Sequence, residues 1–229
     1  MRHASVEYFT RAGRPLPTES VALSPAGRTE AEAAAAALAE APFDLVVTSG
    51  LPRTRETARI VVGDRSVRVR EVEALREIRP GRLRDIPEGA LRPAFLRAFH
   101  GLGPDSRFLG GEGFGAFVDR VLPAFDALCR EPGWRGALLV LHGGVNRVIL
   151  ADALGARLRD GPADALGGLE QDPGCINILD VDPDGRRIVR LVNHTPADPL
   201  KRGIWRTTME ALLEAYRPSP PGSAAGQDR

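Results

Sequence analysis

Short apolar runs alternate along this chain with segments whose apolar residues recur every three or four positions, the period of a buried helix face. Phe43 to Thr48 reads as a short buried strand, and a turn at Ser49-Gly50 leads into a helix from about Leu51 to Val62. Upstream, Ser24-Pro25 has the form of a helix start, Ser as N-cap and Pro at the first helical position. The alanine-rich run that follows predicts a helix continuing to Ala41 and ended by Pro42. Val67 to Val72 alternates as a strand, and Gly136 to Leu141 is another. Helical spacing covers Leu91 to Phe99, Phe114 to Cys129, Gly144 to Leu154 and Thr207 to Tyr216. Cys175 to Val181 and Arg187 to Val192 read as a strand pair joined by a turn at Asp182-Pro183-Asp184-Gly185. The expected fold is α/β: three layers, α/β/α, with a mostly parallel sheet covered by helices on both faces. One domain over residues 1–217 is expected, with a disordered Pro/Gly/Ser/Ala-rich tail over 218–229.

Composition narrows the function classes. A net charge of +1 gives no global field toward nucleic acid or a membrane surface. No segment reaches the ~18 apolar residues of a membrane span, and no apolar run follows the basic start as in a signal peptide. A cytoplasmic setting is expected. Lys201 is the sole lysine, so arginine is common here and an arginine carries information only at a motif position. Cys129 and Cys175 read as core residues, neither a disulfide framework nor a zinc site. No metal, cofactor, P-loop or nucleophile elbow is predicted.

The chain has four histidines, and two of them stand at informative places. His3 follows Arg2 at the start, and His142 follows the strand-like run ending at Leu141. In an α/β sheet the ligand sits beyond the carboxyl ends of the strands. Ser49 and His142 directly follow strands, and Arg53 lies in the first turn of the next helix, so the architecture sends them to one rim. Two histidines, arginines and one placed acid are the parts needed to move a phosphoryl group through a histidine. His100 and His194 have no such support.

Several segments together resemble the histidine phosphatase, or phosphoglycerate mutase-like, superfamily. They are Arg2-His3-Ala4, Leu23-Ser24-Pro25-Ala26-Gly27, Ser49-Gly50-Leu51-Pro52-Arg53 with Thr57-Ala58, Leu75-Arg76-Glu77 with Gly81, Gly110-Gly111-Glu112, and His142-Gly143-Gly144. They run in family order over nearly the whole chain. Two departures stand out. Ala4 occupies the position of the family's glycine, and only Met1 precedes Arg2 where the family has an apolar first strand. The first strand is therefore expected to be truncated. Either the start is assigned too late, the simpler expectation, or the nucleophile sits on a frayed end.

The resemblance implies a metal-independent phosphatase acting on a small phosphomonoester through a phosphohistidine at His3. It implies Arg2 and Arg53 as phosphate clamps, His142 as a donor to the transferring group, and Glu77 as proton donor. Ser49 either contacts phosphate or caps the helix after it, and Glu112 resembles a helix-start acid favoured by the dipole. Arg55, ~200° around the helix from Arg53, is left off the site. Residues 82–108 are expected to form a lid, with Arg84, Arg92, Arg97 and Arg107 alongside Phe95, Phe99 and Phe108. The simpler reading of that segment is an amphipathic helix packing its aromatics inward. Two alternatives use the same scaffold: a mutase-type phosphotransferase, and a noncatalytic regulatory binding protein. The sequence leaves substrate and oligomeric state open.

Overall fold

The computed structural model describes residues 1–161, 164–202 and 204–216. The boundary expected at residue 217 and the tail from Pro218 lie outside them. The order of elements is α1 (Pro25–Ala37), β1 (Leu45–Thr48), α2 (Pro52–Val62), β2 (Arg68–Glu71), α3 (Glu88–Leu96), α4 (Phe114–Arg130), β3 (Ala137–Val140), α5 (Gly143–Ala153), α6 (Ala165–Gly168), β4 (Ile176–Val181), β5 (Arg187–His194) and α7 (Thr208–Ala215).

Strands β2, β1 and β3 form a parallel sheet in that order, and β4 and β5 form an antiparallel hairpin. Residues 1–3 join the two. His3 N donates to Leu141 O and Leu141 N to Met1 O, while on the other side Arg2 N donates to Cys175 O, just before β4. The amino group of Met1 donates to Leu139 O at 2.6 Å. The segment is thus a strand stub paired on both edges, and Met1, Arg2 and His3 are all buried. A frayed nucleophile is not what the structure shows. Ala4 is buried too, and it is not among the residues with positive φ. The backbone there does not require glycine.

Alternation in β1 explains its fully apolar reading. Leu45 and Val47 enter the core built by α3, α4 and α5, whereas Val46 packs with Ala34 of α1 and Ala58 and Val61 of α2. Helices therefore cover both faces, which is why every residue of β1 is buried. Ser24 caps α1 as expected, its Oγ accepting from Gly27 N at 3.0 Å. That helix stops at Ala37 rather than Ala41. The carbonyl of Leu38 accepts from Arg65 and from Ala41 N, so a tertiary contact closes the last turn before Pro42 is reached. Helix α3 begins three residues earlier than the apolar spacing suggested. In residues 82–108 the aromatics Phe95, Phe99 and Phe108 are buried, and Arg84, Arg92, Arg97 and Arg107 are exposed.

Candidate active site

The carboxyl ends of β1, β3 and the N-terminal stub meet at one rim. The rings of His3 and His142 lie edge to face with centroids 5.2 Å apart. His3 Nδ1 lies 2.8 Å from Ala4 O and therefore carries the proton, since a carbonyl can only accept. That tautomer leaves the lone pair on Nε2. Two donors address it: Arg53 Nε at 3.2 Å and the Tyr8 hydroxyl at 3.4 Å. Burial pushes the His3 pKa well below 6.5, and Arg53 and Arg2 push it further. The ring is neutral and its free nitrogen nucleophilic.

His142 is the N-cap residue of α5 and is fully buried. Its Nε2 lies 2.7 Å from Ser49 Oγ. Ser49 also lies 3.2 Å from Thr54 Oγ1, which itself donates to Leu51 O. When the Ser49 proton is given to His142 Nε2, the imidazole keeps its own proton on Nδ1, which is buried with no partner among the described residues. That nitrogen can donate to an incoming oxygen. Burial, followed by the charges of His3, Arg53 and Arg2, holds His142 well below 6.5 as well. Ser49 does not cap α2: the N-cap is Leu51, without a side-chain cap bond. The serine instead fixes a histidine from a neighbouring strand.

Both clamping arginines are buried. Arg53 is the second residue of α2, and its guanidinium also donates to Thr18 O. Arg2 reaches Gln171 O and, at 3.0 Å, Thr208 Oγ1, while its Nε is buried without a partner among the described residues. Arg55 is on the surface, paired with Glu71, as its helical phase required. Glu77 lies in an irregular stretch, with Oε2 accepting from Gly144 N at 2.9 Å and Oε1 from Ile78 N at 3.0 Å. A Cβ at Gly144 would stand 2.4 Å from Glu77 Oε1, so only glycine leaves the carboxyl its seat.

All six residues expected in the site are thus placed around one rim, and others join them that the sequence reading did not select. Tyr8 brings a hydroxyl to His3 Nε2, and burial raises its pKa, which keeps it a donor. Thr57 accepts from Ala4 N and donates to Arg53 O. Being four residues after Arg53, it was detectable as a same-face partner. Gln171, from a distant loop, and Thr208, the first residue of α7, hold Arg2, and neither was selected from the sequence. Glu112 precedes α4, whose N-cap is Gly113, and its side chain is 6% exposed against Arg120. It is a buried ion-pair partner, not a helix-start acid. Burial alone would raise its carboxyl, and the Arg120 guanidinium and the Arg79 N–H together hold it below the usual carboxylate range.

Beside Arg2, Arg53 and Glu77 opens a cleft of about 1680 Å³. Its lining includes an apolar wall of Leu83, Ile86, Phe99, Phe108, Met209 and Leu212, interleaved with the charged Arg79, Arg82, Arg84 and Glu88. His3 borders a smaller adjoining pocket, and Arg2 and Tyr8 line both. Among the described residues no helix is long and apolar enough to cross a membrane.

Two depressed histidines make stability depend on pH with a definite sign. Unfolded, both bind protons as pH falls below 6.5; folded, they resist. The fold then binds fewer protons, so stability is lost as pH falls from 6.5 through the folded values, at up to about 1.4 kcal/mol per pH unit for each ring. Thermal melts of the wild type between pH 7 and pH 5 are expected to fall more steeply than those of His142→Asn. Equal slopes would mean that His142 is not held neutral.

The chain is similar to known proteins. The family model for the histidine phosphatase superfamily (branch 1) matches residues 1–194. The chain is 30% identical over 147 residues to an adenosylcobalamin/alpha-ribazole phosphatase of Escherichia coli (strain K12), covering 61% of this chain and 68% of the relative. It is 32% identical over 181 residues to a glucosyl-3-phosphoglycerate phosphatase of Mycolicibacterium vanbaalenii, covering 74% and 78%. Among solved structures, a mycobacterial glucosyl-3-phosphoglycerate phosphatase superposes with a TM-score of 0.65 at 25% identity, covering 84% of this chain and 95% of that one. Bacillus stearothermophilus YhfR superposes at 0.66 and 26%, covering 83% and 93%. With its motifs in order, its sheet and its rim in place, this chain belongs to the histidine phosphatase superfamily.

Proposed function

We propose that the protein is a metal-independent phosphatase that hydrolyses a phosphomonoester through a phosphohistidine on His3. The observation that carries this reading is the tautomer of His3. Nδ1 is committed to Ala4 O, and the Nε2 lone pair is held by Arg53 and Tyr8. When a phosphate arrives, those two donors turn to its oxygens, together with Arg2 and the Nδ1–H of His142. Nε2 attacks phosphorus, the P–O ester bond breaks, and the leaving alkoxide takes a proton from Glu77. Glu77 then takes a proton from water as its oxygen attacks the phosphohistidine. The P–N bond breaks, and inorganic phosphate and neutral His3 remain. Ser49 acts through His142, setting the tautomer that donates.

Residues 82–108 form a lid over the cleft, with Leu83, Ile86, Phe99 and Phe108 in its lining. A small-ligand pocket is typically about 300–1,000 Å³, so a cleft of about 1680 Å³ suits a bulky alcohol. Its apolar wall favours a ring system over a bare sugar. Of the two substrates named for the relatives, an α-ribazole-type monoester fits that wall better than glucosyl-3-phosphoglycerate. Purified protein assayed in EDTA is expected to release phosphate from p-nitrophenyl phosphate. In a panel of esters, α-ribazole phosphate should give a higher kcat/KM than glucosyl-3-phosphoglycerate. Dependence on added metal would remove the first claim, and the reverse ranking the second.

A further inference from the structure

Glu77 stands on a stretch without helix or strand, between a 3₁₀ turn at Glu73–Leu75 and another at Leu83–Asp85. A proton donor must be held to a few tenths of an ångström, and an irregular loop does not hold itself. The fixing element is Arg120, in the middle of α4. Its Nη1 donates to Ala74 O at 2.8 Å and Arg76 O at 2.6 Å, and its Nη2 to Glu77 O at 3.0 Å. Three carbonyls flanking one carboxyl are thus gathered by one planar fork. The remaining donors go to Glu112, Nε to Oε1 at 2.9 Å and Nη2 to Oε2 at 3.0 Å.

Glu112 completes the clamp from the far side. Its carboxylate also accepts from Arg79 N at 3.0 Å, and its own N–H donates to Arg79 O at 2.8 Å. The two backbones touch directly. A Cβ on Gly111 would lie 2.2 Å from Arg79 O and 2.3 Å from Gly81 N, and one on Gly81 would lie 2.8 Å from Gly110 C. The Glu77…Gly81 and Gly110-Gly111-Glu112 segments are therefore two halves of one structure, and the glycines are there for close approach. A lysine at 120 would keep the charge without offering the fork.

We infer that Arg120 and Glu112 are positioning residues that set where the Glu77 carboxyl meets the leaving oxygen. The inference rests on Glu77 being the proton donor. A poor leaving group needs that proton and an activated one needs it far less, so the effect separates by substrate. The parameter to read is kcat/KM, which reports the step that breaks the ester bond. The experiment compares an alkyl phosphate with p-nitrophenyl phosphate in the wild type, Glu77→Gln, Arg120→Lys and Glu112→Gln. The alkyl-to-aryl ratio of kcat/KM is expected to drop about 100-fold in Glu77→Gln, within the usual span for general acid catalysis, and about 10-fold or more in Arg120→Lys. In the double variant, Arg120→Lys should add little to Glu77→Gln on the alkyl ester. Where Arg120→Lys melts too low to assay, Glu112→Gln carries the test, because it keeps the shape but turns one accepting oxygen into a donor facing the Arg120 fork and loses the charge.

A ratio that drops in Glu77→Gln but stays constant in both clamp variants, whether or not their activity falls uniformly, would overturn the positioning role alone. A ratio unchanged in Glu77→Gln itself would remove the proton-donor assignment, and this inference with it.

Discussion

Replacing His3 by alanine is expected to lower kcat on any accepted phosphomonoester by at least about 10⁴-fold, the scale on which a covalent nucleophile is missed. The magnitude follows from what else is at the rim. Nε2 is the lone pair that the surrounding donors address, and His142, the nearest other imidazole, has its Nε2 engaged with Ser49. Water would then have to attack a phosphate clamped for a nucleophile on the other side. Rapid quench at neutral or alkaline pH should trap an acid-labile phosphoryl group in the wild type and none in His3→Ala. The variant is also expected to fold. His3 contributes its main chain to the stub through Leu141 O, and alanine keeps that bond. Turnover persisting in His3→Ala within about tenfold of the wild type would place the nucleophile elsewhere.

Much of this site could be read from order along the chain, because sheet topology turns sequence position into location. A residue directly after a parallel strand must emerge at the carboxyl rim, which fixed Ser49, Arg53 and His142 without side-chain detail. What could not be read was how those side chains are supported. Ser49 could be read either as a helix cap or as a phosphate contact, and nothing local showed that its hydroxyl is claimed by a histidine more than ninety residues away. Glu112 looked like a helix-start acid for the same kind of local reason, and a partly buried arginine in the helix it precedes took it. Tyr8 and Gln171 come from loops whose paths no periodicity predicts, and Thr208, although on the predicted last helix, meets Arg2 only through tertiary packing. The stub at residues 1–3 is a further case. Three residues are too few to show a strand pattern, and their order comes from Leu141 on one side and Cys175 on the other.

Arg53→Ala is expected to lower kcat/KM by about 10³-fold, at the upper end of what a single preorganised donor to a developing anion supplies. Arg55→Ala should leave it unchanged. The two arginines differ by one hundred-degree step taken twice around the same helix, and the consequences are opposite. Arg53 is 2% exposed, touches the nucleophile through Nε, and carries a charge that persists at any working pH. Arg55 holds Glu71 in an exposed pair that solvent screens. In the proposed mechanism the arginine at 53 acts twice, first steering the His3 lone pair and then balancing charge on the transferring group. Its loss should therefore appear in kcat as well as in KM, and vanadate should bind more weakly by a comparable factor. Arg53→Lys distinguishes the two parts. A lysine restores charge but cannot give Nε to His3 while another nitrogen serves the phosphate, so it should recover affinity for vanadate far better than it recovers kcat. Full recovery of both by lysine would mean that charge alone is used at this position, and that the Nε contact with His3 has no part in the reaction.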